Sequence, residues 1–190
     1  MKARRCLKES DEELLRGIIG KKIISLKIGD KDSVSYPVLD VWLNIENDSP
    51  LKIRNDEEPV SDFDGSIEEM VGFSCETLEG AGGEEAFKRG YIDYKVPSSV
   101  IKKIEIITDD ITISFDKYED YNIVFDAGII LHGDKHDYVF ALDIPLFFPG
   151  IHYSTDAKIE DFRPIDEVKE YWSKSKGETS TTVSRYSRVL

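Results

Sequence analysis

Three histidines come closest to the residue types and spacing of a metal site. His132 and His136 lie four residues apart around the sequence Gly-Asp-Lys, and His152 follows later in the chain. On a helix, two histidines at this spacing would share a face and could bind zinc. The intervening glycine and aspartate favour a turn, so we interpret the pair as exposed turn residues. Hairpin flanks can also bring two histidines together, with His152 as a third ligand. We predict no metal and no cofactor.

Other patterns that signal chemistry are incomplete. The segment Asp62–Ser66 begins like a calcium loop, but its glycine does not stand where an EF-hand needs it. Gly80–Gly83 lacks the Lys-Ser/Thr ending of a phosphate-binding loop. Cys75 has no helix N-terminus or basic neighbour to lower the pKa of its thiol. No Gly-x-Ser-x-Gly elbow occurs, and 38 acidic residues make any one carboxylate pair uninformative. We therefore expect no catalytic residues and a protein that is not an enzyme.

Acidic residues dominate the composition of the chain. Asp and Glu number 38 against 25 Lys and Arg, a formal net charge of −13. Basic residues gather at the two ends, so residues 10–172 hold 17 basic and 36 acidic residues and a net charge of −19. Such a body repels nucleic acid and anionic membranes and attracts basic surfaces. We expect neither nucleic acid nor membrane as a direct partner, although solubility alone would also explain the charge.

Two acidic clusters are the candidate binding surfaces. Residues 44–69 carry nine acids and residues 105–126 carry seven. On a sheet they would form rows of carboxylates. Such rows are either a solvated face that protects strand edges or a surface complementary to a basic protein. Trp42, on the polar face of a predicted strand, is either an interface anchor or covered by a neighbouring element. The candidate partner-binding residues are Trp42, Asp56, Glu57, Glu58, Asp62, Asp64, Asp116, Glu119 and Asp120.

An antiparallel meander over Ile101–Asp143 is the predicted scaffold for these side chains. Its isoleucines alternate with polar residues, as in half-buried strands, and its short connections can join antiparallel strands but not parallel ones. Turns are predicted at Asp109-Asp110, Lys117–Asp120, Ala127-Gly128 and Gly133–Asp137. The proline-bounded segment Ile144–Gly150 is expected to close one end of the core.

The remaining elements give a β-rich α+β fold. A capping pattern at Ser10–Glu13 predicts a short helix that ends near Gly17 or Gly20. Strands are predicted over Lys21–Ile28, Val38–Ile45 and Leu51–Arg54. Residues 55–90 are predicted to be irregular, with a short helix after Ser66. A second helix is predicted over Ile165–Trp172. We expect antiparallel meander sheets that form a sandwich or an open barrel with one or two short helices. Residues 1–172 form a single domain, divisible into β units at 19–54 and 91–150, and residues 173–190 form a mobile, basic, Ser/Thr-rich tail.

Three segments carry a family resemblance. The sequences FDAGIIL (Phe125–Leu131), YVFALD (Tyr138–Asp143) and LFFPG (Leu146–Gly150) resemble small β-rich immunity proteins of bacterial polymorphic-toxin and contact-dependent growth-inhibition systems. GKKIISL (Gly20–Leu26) and its hairpin are similar in style, so the resemblance covers about half of the chain. It implies a protein that binds and neutralises one cognate toxin, and no residue-level site carries over.

The class of toxin and the location follow from charge and composition. The acidic body fits a basic nuclease toxin, with metabolic and pore-forming toxins as alternatives. Two scattered cysteines, no apolar stretch after the basic start and no membrane-spanning run indicate a cytoplasmic protein. The competing hypothesis is a small β-barrel or sandwich that acts as a metal-dependent enzyme or ligand-binding protein. Its metal would lie at His132, His136 or His152.

Overall fold

A computed structural model describes residues 2–28, 38–61, 67–78, 91–114, 120–143, 150–175 and 180–190. Within these ranges the chain is mostly β-strand, with two short helices and a turn of 3-10 helix at Ile159–Asp161. The strands are β1 (Lys2–Arg5), β2 (Lys22–Ile28), β3 (Asp40–Ile45), β4 (Leu51–Ser61), β5 (Ile67–Thr77), β6 (Ile92–Tyr94), β7 (Ser99–Ser114), β8 (Tyr121–Gly133), β9 (Tyr138–Leu142), β10 (Ile151–Thr155) and β11 (Ser180–Val189). The helices are α1 (Glu9–Arg16) and α2 (Ile165–Ser175).

The described strands form one large open sheet in the order β10-β9-β8-β7-β2-β3-β4-β5. Neighbours along this path are antiparallel. Three further strands attach beside it: β1 runs parallel to β8, β11 pairs with β7, and β6 pairs with β2. One apolar core includes Leu26, Phe73, Ile104 and Trp172, so it joins both halves of the sheet and α2. The prediction of a β-rich, mainly antiparallel α+β fold is confirmed.

The central meander is confirmed, but two of its predicted turns are wrong. β7 passes straight through Asp109-Asp110, because Asp109 is buried against arginine side chains and does not turn towards water. β8 passes through Ala127-Gly128, where Ala127 is the extra residue of a bulge. Gly128 is needed for close approach, since a Cβ there would meet the side chain of Ile159. Gly133–Asp137 does form the predicted turn.

The prediction of an irregular stretch over residues 55–90 is wrong where the structure describes it. β4 runs through Asn55–Ser61 and pairs continuously with β5. The helix predicted after Ser66 is the start of β5. Burial of Met70, Val71, Phe73 and Cys75 of that strand in the core overrides the local helix signal at Ile67–Met70. The glycine-rich loop at 80–83 and most of the segment 144–150 lie outside the described residues.

The predicted mobile tail over residues 173–190 is wrong at both described ends. Helix α2 continues to Ser175, and β11 pairs with β7 over its whole length. The strand is held because Arg185 and Arg188 reach buried aspartates, as described below. Composition rich in Ser, Thr and Lys suggests disorder, but the residues of β11 alternate between more and less exposed positions, as in a strand that covers a sheet.

Both predicted helices are present. Helix α1 begins slightly earlier than the Ser10 pattern suggests, because the Asp11 carboxylate accepts the N–H of Lys8. It ends at Gly17, one of the two predicted positions. Helix α2 follows Pro164 and buries Val168 and Trp172. None of the described helices has the length and apolar character needed to span a membrane.

Candidate functional site

The described candidate residues that lie together are Asp56, Glu57 and Glu58, on consecutive positions of β4. Asp56 and Glu57, but not Glu58, line a shallow groove of about 460 Å³ at the place where β3 begins beside β4. Its lining residues are Leu39, Arg54, Asn55, Asp56, Glu57 and Glu69. The β4–β5 hairpin is the acidic part of the sheet, with eight acids and two bases over residues 51–77. We call this feature the acidic groove.

One side of β4 is electrically balanced. Alternate residues of a strand point to opposite faces, so Asp56 and Glu58 share one face. The Arg5 guanidinium lies 3.2 Å from the Asp56 carboxylate and 3.3 Å from that of Glu58, and Lys8 lies 2.8 Å from Glu58. Arg5 is buried over Gly72, where a Cβ would meet its side chain. These two carboxylates are therefore already matched inside the molecule.

The other side of β4 is not balanced. Glu57 and Glu69 are exposed and lie close enough for their carboxyl groups to hydrogen-bond. The pKa of Glu57 is raised by partial desolvation, by that hydrogen bond and by the negative charges of Glu69 and Asp56. Within the described ranges, no Lys or Arg forms an ion pair with either glutamate. The groove thus holds a like-charged pair that a cation would stabilise.

Arg54 is the one cation among the lining residues, and it is engaged by its own partners. Its guanidinium lies 3.0 Å from Asp56 and 2.7 Å from Glu76, and its Nε donates to Ser74. It therefore does not neutralise the unbalanced pair. The lining side chains carry one positive and three negative charges.

Trp42 is not an exposed anchor, and that prediction is wrong. Its side chain is fully buried in β3. The ring of Tyr91 meets it edge-on with centroids 6.2 Å apart, and the Lys52 ammonium lies 5.5 Å from the ring centroid. The alternative, that a neighbouring element covers it, is correct. Among the remaining candidates, Asp120 is exposed just before β8, and Asp62, Asp64, Asp116 and Glu119 lie outside the described residues.

The second acidic cluster does not form a row of free carboxylates. Asp126 is buried and accepts hydrogen bonds from the N–H of Leu7, the hydroxyl of Thr108 and two nitrogens of Arg188, the last two at 2.7 Å each. Arg188 also pairs with Glu12 on α1. The buried aspartate thereby joins α1, β7, β8 and β11, which is a structural role.

Asp109 has a similar setting. Its carboxylate is buried and receives two hydrogen bonds from Arg185, at 2.6 and 3.0 Å. Arg163, fully buried, lies 3.6 Å away on the other side and also packs against the ring of Phe125. Burial lowers the pKa of Arg163 to about 10, and Asp109 partly offsets this effect. The basic residues of β11 therefore neutralise acids of the central meander.

His132 bridges two carboxylates at the end of β8. Its Nδ1 lies 2.8 Å from Asp137 and its Nε2 lies 2.9 Å from Glu105. The pKa of Glu105 is lowered by hydrogen bonds from Ser187 and His132. His132 therefore connects β7, β8 and the following turn.

The other two histidines each lie beside a carboxylate. His136 lies 2.7 Å from Asp156, and His152 lies 3.3 Å from Asp143. Across the described ranges, no three His, Cys, Asp or Glu side chains converge on a possible metal position. The structure gives no observation that favours the metal-dependent alternative at these residues.

The cysteines lack the surroundings of reactive thiols. Burial raises the pKa of Cys75 strongly, and the charges of Asp11 and Glu76 raise it further. Burial and Asp126 raise the pKa of Cys6. A thiolate nucleophile needs a lowered pKa, so neither residue is a candidate for covalent chemistry.

Four lining residues of the acidic groove are not among the predicted binding residues: Leu39, Arg54, Asn55 and Glu69. The sequence predicts a helix at Glu69, but this residue lies in β5. Leu39 falls within the predicted strand Val38–Ile45, but it precedes β3 and is 59% exposed. Pairing of β3 with β4 and of β4 with β5 brings these residues together.

Comparison with family models, curated proteins and solved structures finds no match to this chain. The resemblance to immunity proteins stays an expectation from the residues quoted above.

Proposed function

We propose that this protein is a non-catalytic immunity protein that binds and neutralises a basic cognate toxin through the acidic groove. The observation that carries the proposal is the like-charged pair Glu57 and Glu69, which has no described cation. The other prominent carboxylates of the described sheet, such as Asp56, Asp109 and Asp126, are matched by arginine. A partner's cation at this exposed, unmatched pair would bring an electrostatic gain that carboxylates already paired with arginine do not offer.

The charge of the whole chain supports the same partner class. A net charge of −13 attracts a basic protein from a distance, and this steering raises the rate of association. A nuclease toxin fits this description because an enzyme that binds phosphate backbones carries a basic cleft. The inhibitor would act in the cytoplasm, where such a toxin meets its substrate, and needs no cofactor or metal of its own.

Co-expression with a candidate basic toxin domain tests the proposal. The unaltered protein should protect cells and co-purify with the toxin. The variant Glu57→Lys/Glu69→Lys should lose both properties, because it places two cations opposite a basic surface. The matched control is Asp166→Lys/Glu167→Lys, which makes the same charge change on the exposed face of α2. Protection by the groove variant equal to that by the control would contradict the proposal.

A further inference from the structure

The acidic groove has features that select among cations. Its two unmatched carboxylates, Glu57 and Glu69, offer several acceptor oxygens at one place. A guanidinium presents five N–H donors in a planar fork that matches carboxylates, whereas an ammonium is a compact and strongly hydrated point charge. The arrangement of acceptors therefore favours arginine over lysine.

Asn55 gives a second and independent indication of a ligand. Both polar atoms of its side-chain amide are buried, and neither has a hydrogen-bond partner. Its backbone is satisfied, since the Asn55 N–H donates to the carbonyl of Leu39 at 3.0 Å. Buried polar groups are almost always hydrogen-bonded, so an unpaired amide beside the groove indicates a missing partner. Asn55 lies two residues before Glu57 on the same face of β4, so a rotation of its buried amide towards the groove would let Oδ1 accept from a guanidinium beside the two glutamates.

Leu39 completes the groove with an apolar wall. It lines the same groove and is 59% exposed. Long cationic side chains bury their methylene stems on apolar surface while the charged end meets polar groups. An exposed leucine beside two carboxylates therefore fits the stem of an arginine side chain. A second copy of this chain would bring its own acidic hairpin to the groove, and repulsion between like charges disfavours it.

We infer that the acidic groove is the receptor for a single arginine side chain of the partner protein, with the guanidinium between Glu57 and Glu69, a hydrogen bond to Asn55 and the stem on Leu39. This inference rests on the proposed function and names the group that the groove recognises. Arginine is enriched among the residues that dominate binding energy at interfaces. The partner's arginine would take that role here.

Titration of the full chain with two blocked amino acids tests the inference by NMR. N-acetyl-arginine methylamide should shift the side-chain amide signals of Asn55 and the backbone signals of Glu57 and Glu69. N-acetyl-lysine methylamide is the matched probe, and its dissociation constant should be about tenfold higher, because it lacks the planar fork. Equal affinities, or shifts confined to other surfaces, would overturn the inference.

Two variants separate recognition from folding. Glu57→Gln should raise the dissociation constant of the arginine probe at least about fivefold, whereas Glu167→Gln on α2 should leave that constant unchanged. Asn55→Ala should also weaken binding of the arginine probe. The melting temperature of this variant should nevertheless equal or exceed that of the unaltered protein, because the substitution removes unpaired polar atoms. A clear drop in that melting temperature would show that Asn55 has only a structural role, and the inference would fail.

The two proposals fail in different ways. If the arginine and lysine probes bind alike while Glu57→Lys/Glu69→Lys still abolishes toxin binding, the groove binds basic proteins without selecting arginine. In that case the further inference is wrong and the proposed function stands. If the toxin binds independently of the groove, the proposed function itself is wrong.

Discussion

Replacing Arg185 with methionine should leave the buried carboxylate of Asp109 without its main partner. The two residues form a two-point contact at 2.6 and 3.0 Å across β7 and β11. Asp109 is 0% exposed and the Arg185 side chain is 8% exposed. Methionine keeps the length and much of the apolar stem while it removes every hydrogen bond of the guanidinium.

The magnitude follows from what remains around the carboxylate. Removing one partner of a buried ion pair costs about 3–5 kcal/mol, because the other charge stays buried. Arg163 remains 3.6 Å from Asp109 and retains part of the compensation. We therefore expect a loss of about 3 kcal/mol in the free energy of unfolding. For a chain of this size, that loss lowers the melting temperature by roughly 6–12 °C.

Urea unfolding followed by tryptophan fluorescence measures this loss. The matched control is Arg16→Met, because the Arg16 side chain is 46% exposed and pairs with Glu12 on the surface of α1. This control variant should lose only about 0.3–0.5 kcal/mol in the free energy of unfolding. In addition, Asp109→Asn/Arg185→Met should be no more stable than Arg185→Met alone, because it removes the remaining charge partner of the fully buried Arg163. A loss below about 1 kcal/mol for Arg185→Met would refute the view that β11 is held by neutralising a buried aspartate.

Three smaller predictions concern folding and pH. Gly133→Ala should destabilise the protein by about 1–3 kcal/mol in urea unfolding, because the added Cβ would overlap the Ser99 hydroxyl; an unchanged midpoint would contradict that packing. The lowered pKa of Glu105 gives stability that is present above its ordinary pKa of 4.5 and is lost as the pH falls through the lowered value. Glu105→Gln should therefore reduce the melting temperature at neutral pH, and this difference should shrink as the pH falls below 4.5; a constant difference would refute this. Ellman's reagent should label Cys6 slowly in the folded protein and Cys75 only after unfolding. Rapid labelling of Cys75 in the folded protein would contradict its burial.

The parts of the fold that depend on local pattern could be predicted from the sequence. Alternating isoleucines in Ile104–Ile113 determine β7, and Pro164 determines where α2 begins. The errors arise where distant residues decide the outcome. Asp109-Asp110 has the composition of a turn, but Arg185, 76 residues away, makes it part of a strand. Likewise, the composition of β11 suggests a disordered tail, and only the buried acids that pair with its arginines explain why it is a strand.

The candidate site was predictable in its charge and not in its geometry. The run Asp56–Glu58 stands out as acidic, and the structure places it beside the groove. The sequence of this run does not show which face of β4 lies against Arg5. In the structure, Asp56 and Glu58 share the face that meets Arg5, and Glu57 lies on the opposite face. That difference depends on strand register and on β1, which is far away in sequence. Trp42 failed as an anchor for the same reason, because Tyr91 covers it.

The rate of association with the proposed basic toxin partner tests the role of the acidic groove most directly. We predict that Glu57→Lys/Glu69→Lys slows association at least about tenfold in low salt relative to the unaltered protein, that added salt reduces this difference, and that Asp166→Lys/Glu167→Lys has a much smaller effect. Equal rates for the two double variants would contradict a toxin-binding site at the acidic groove.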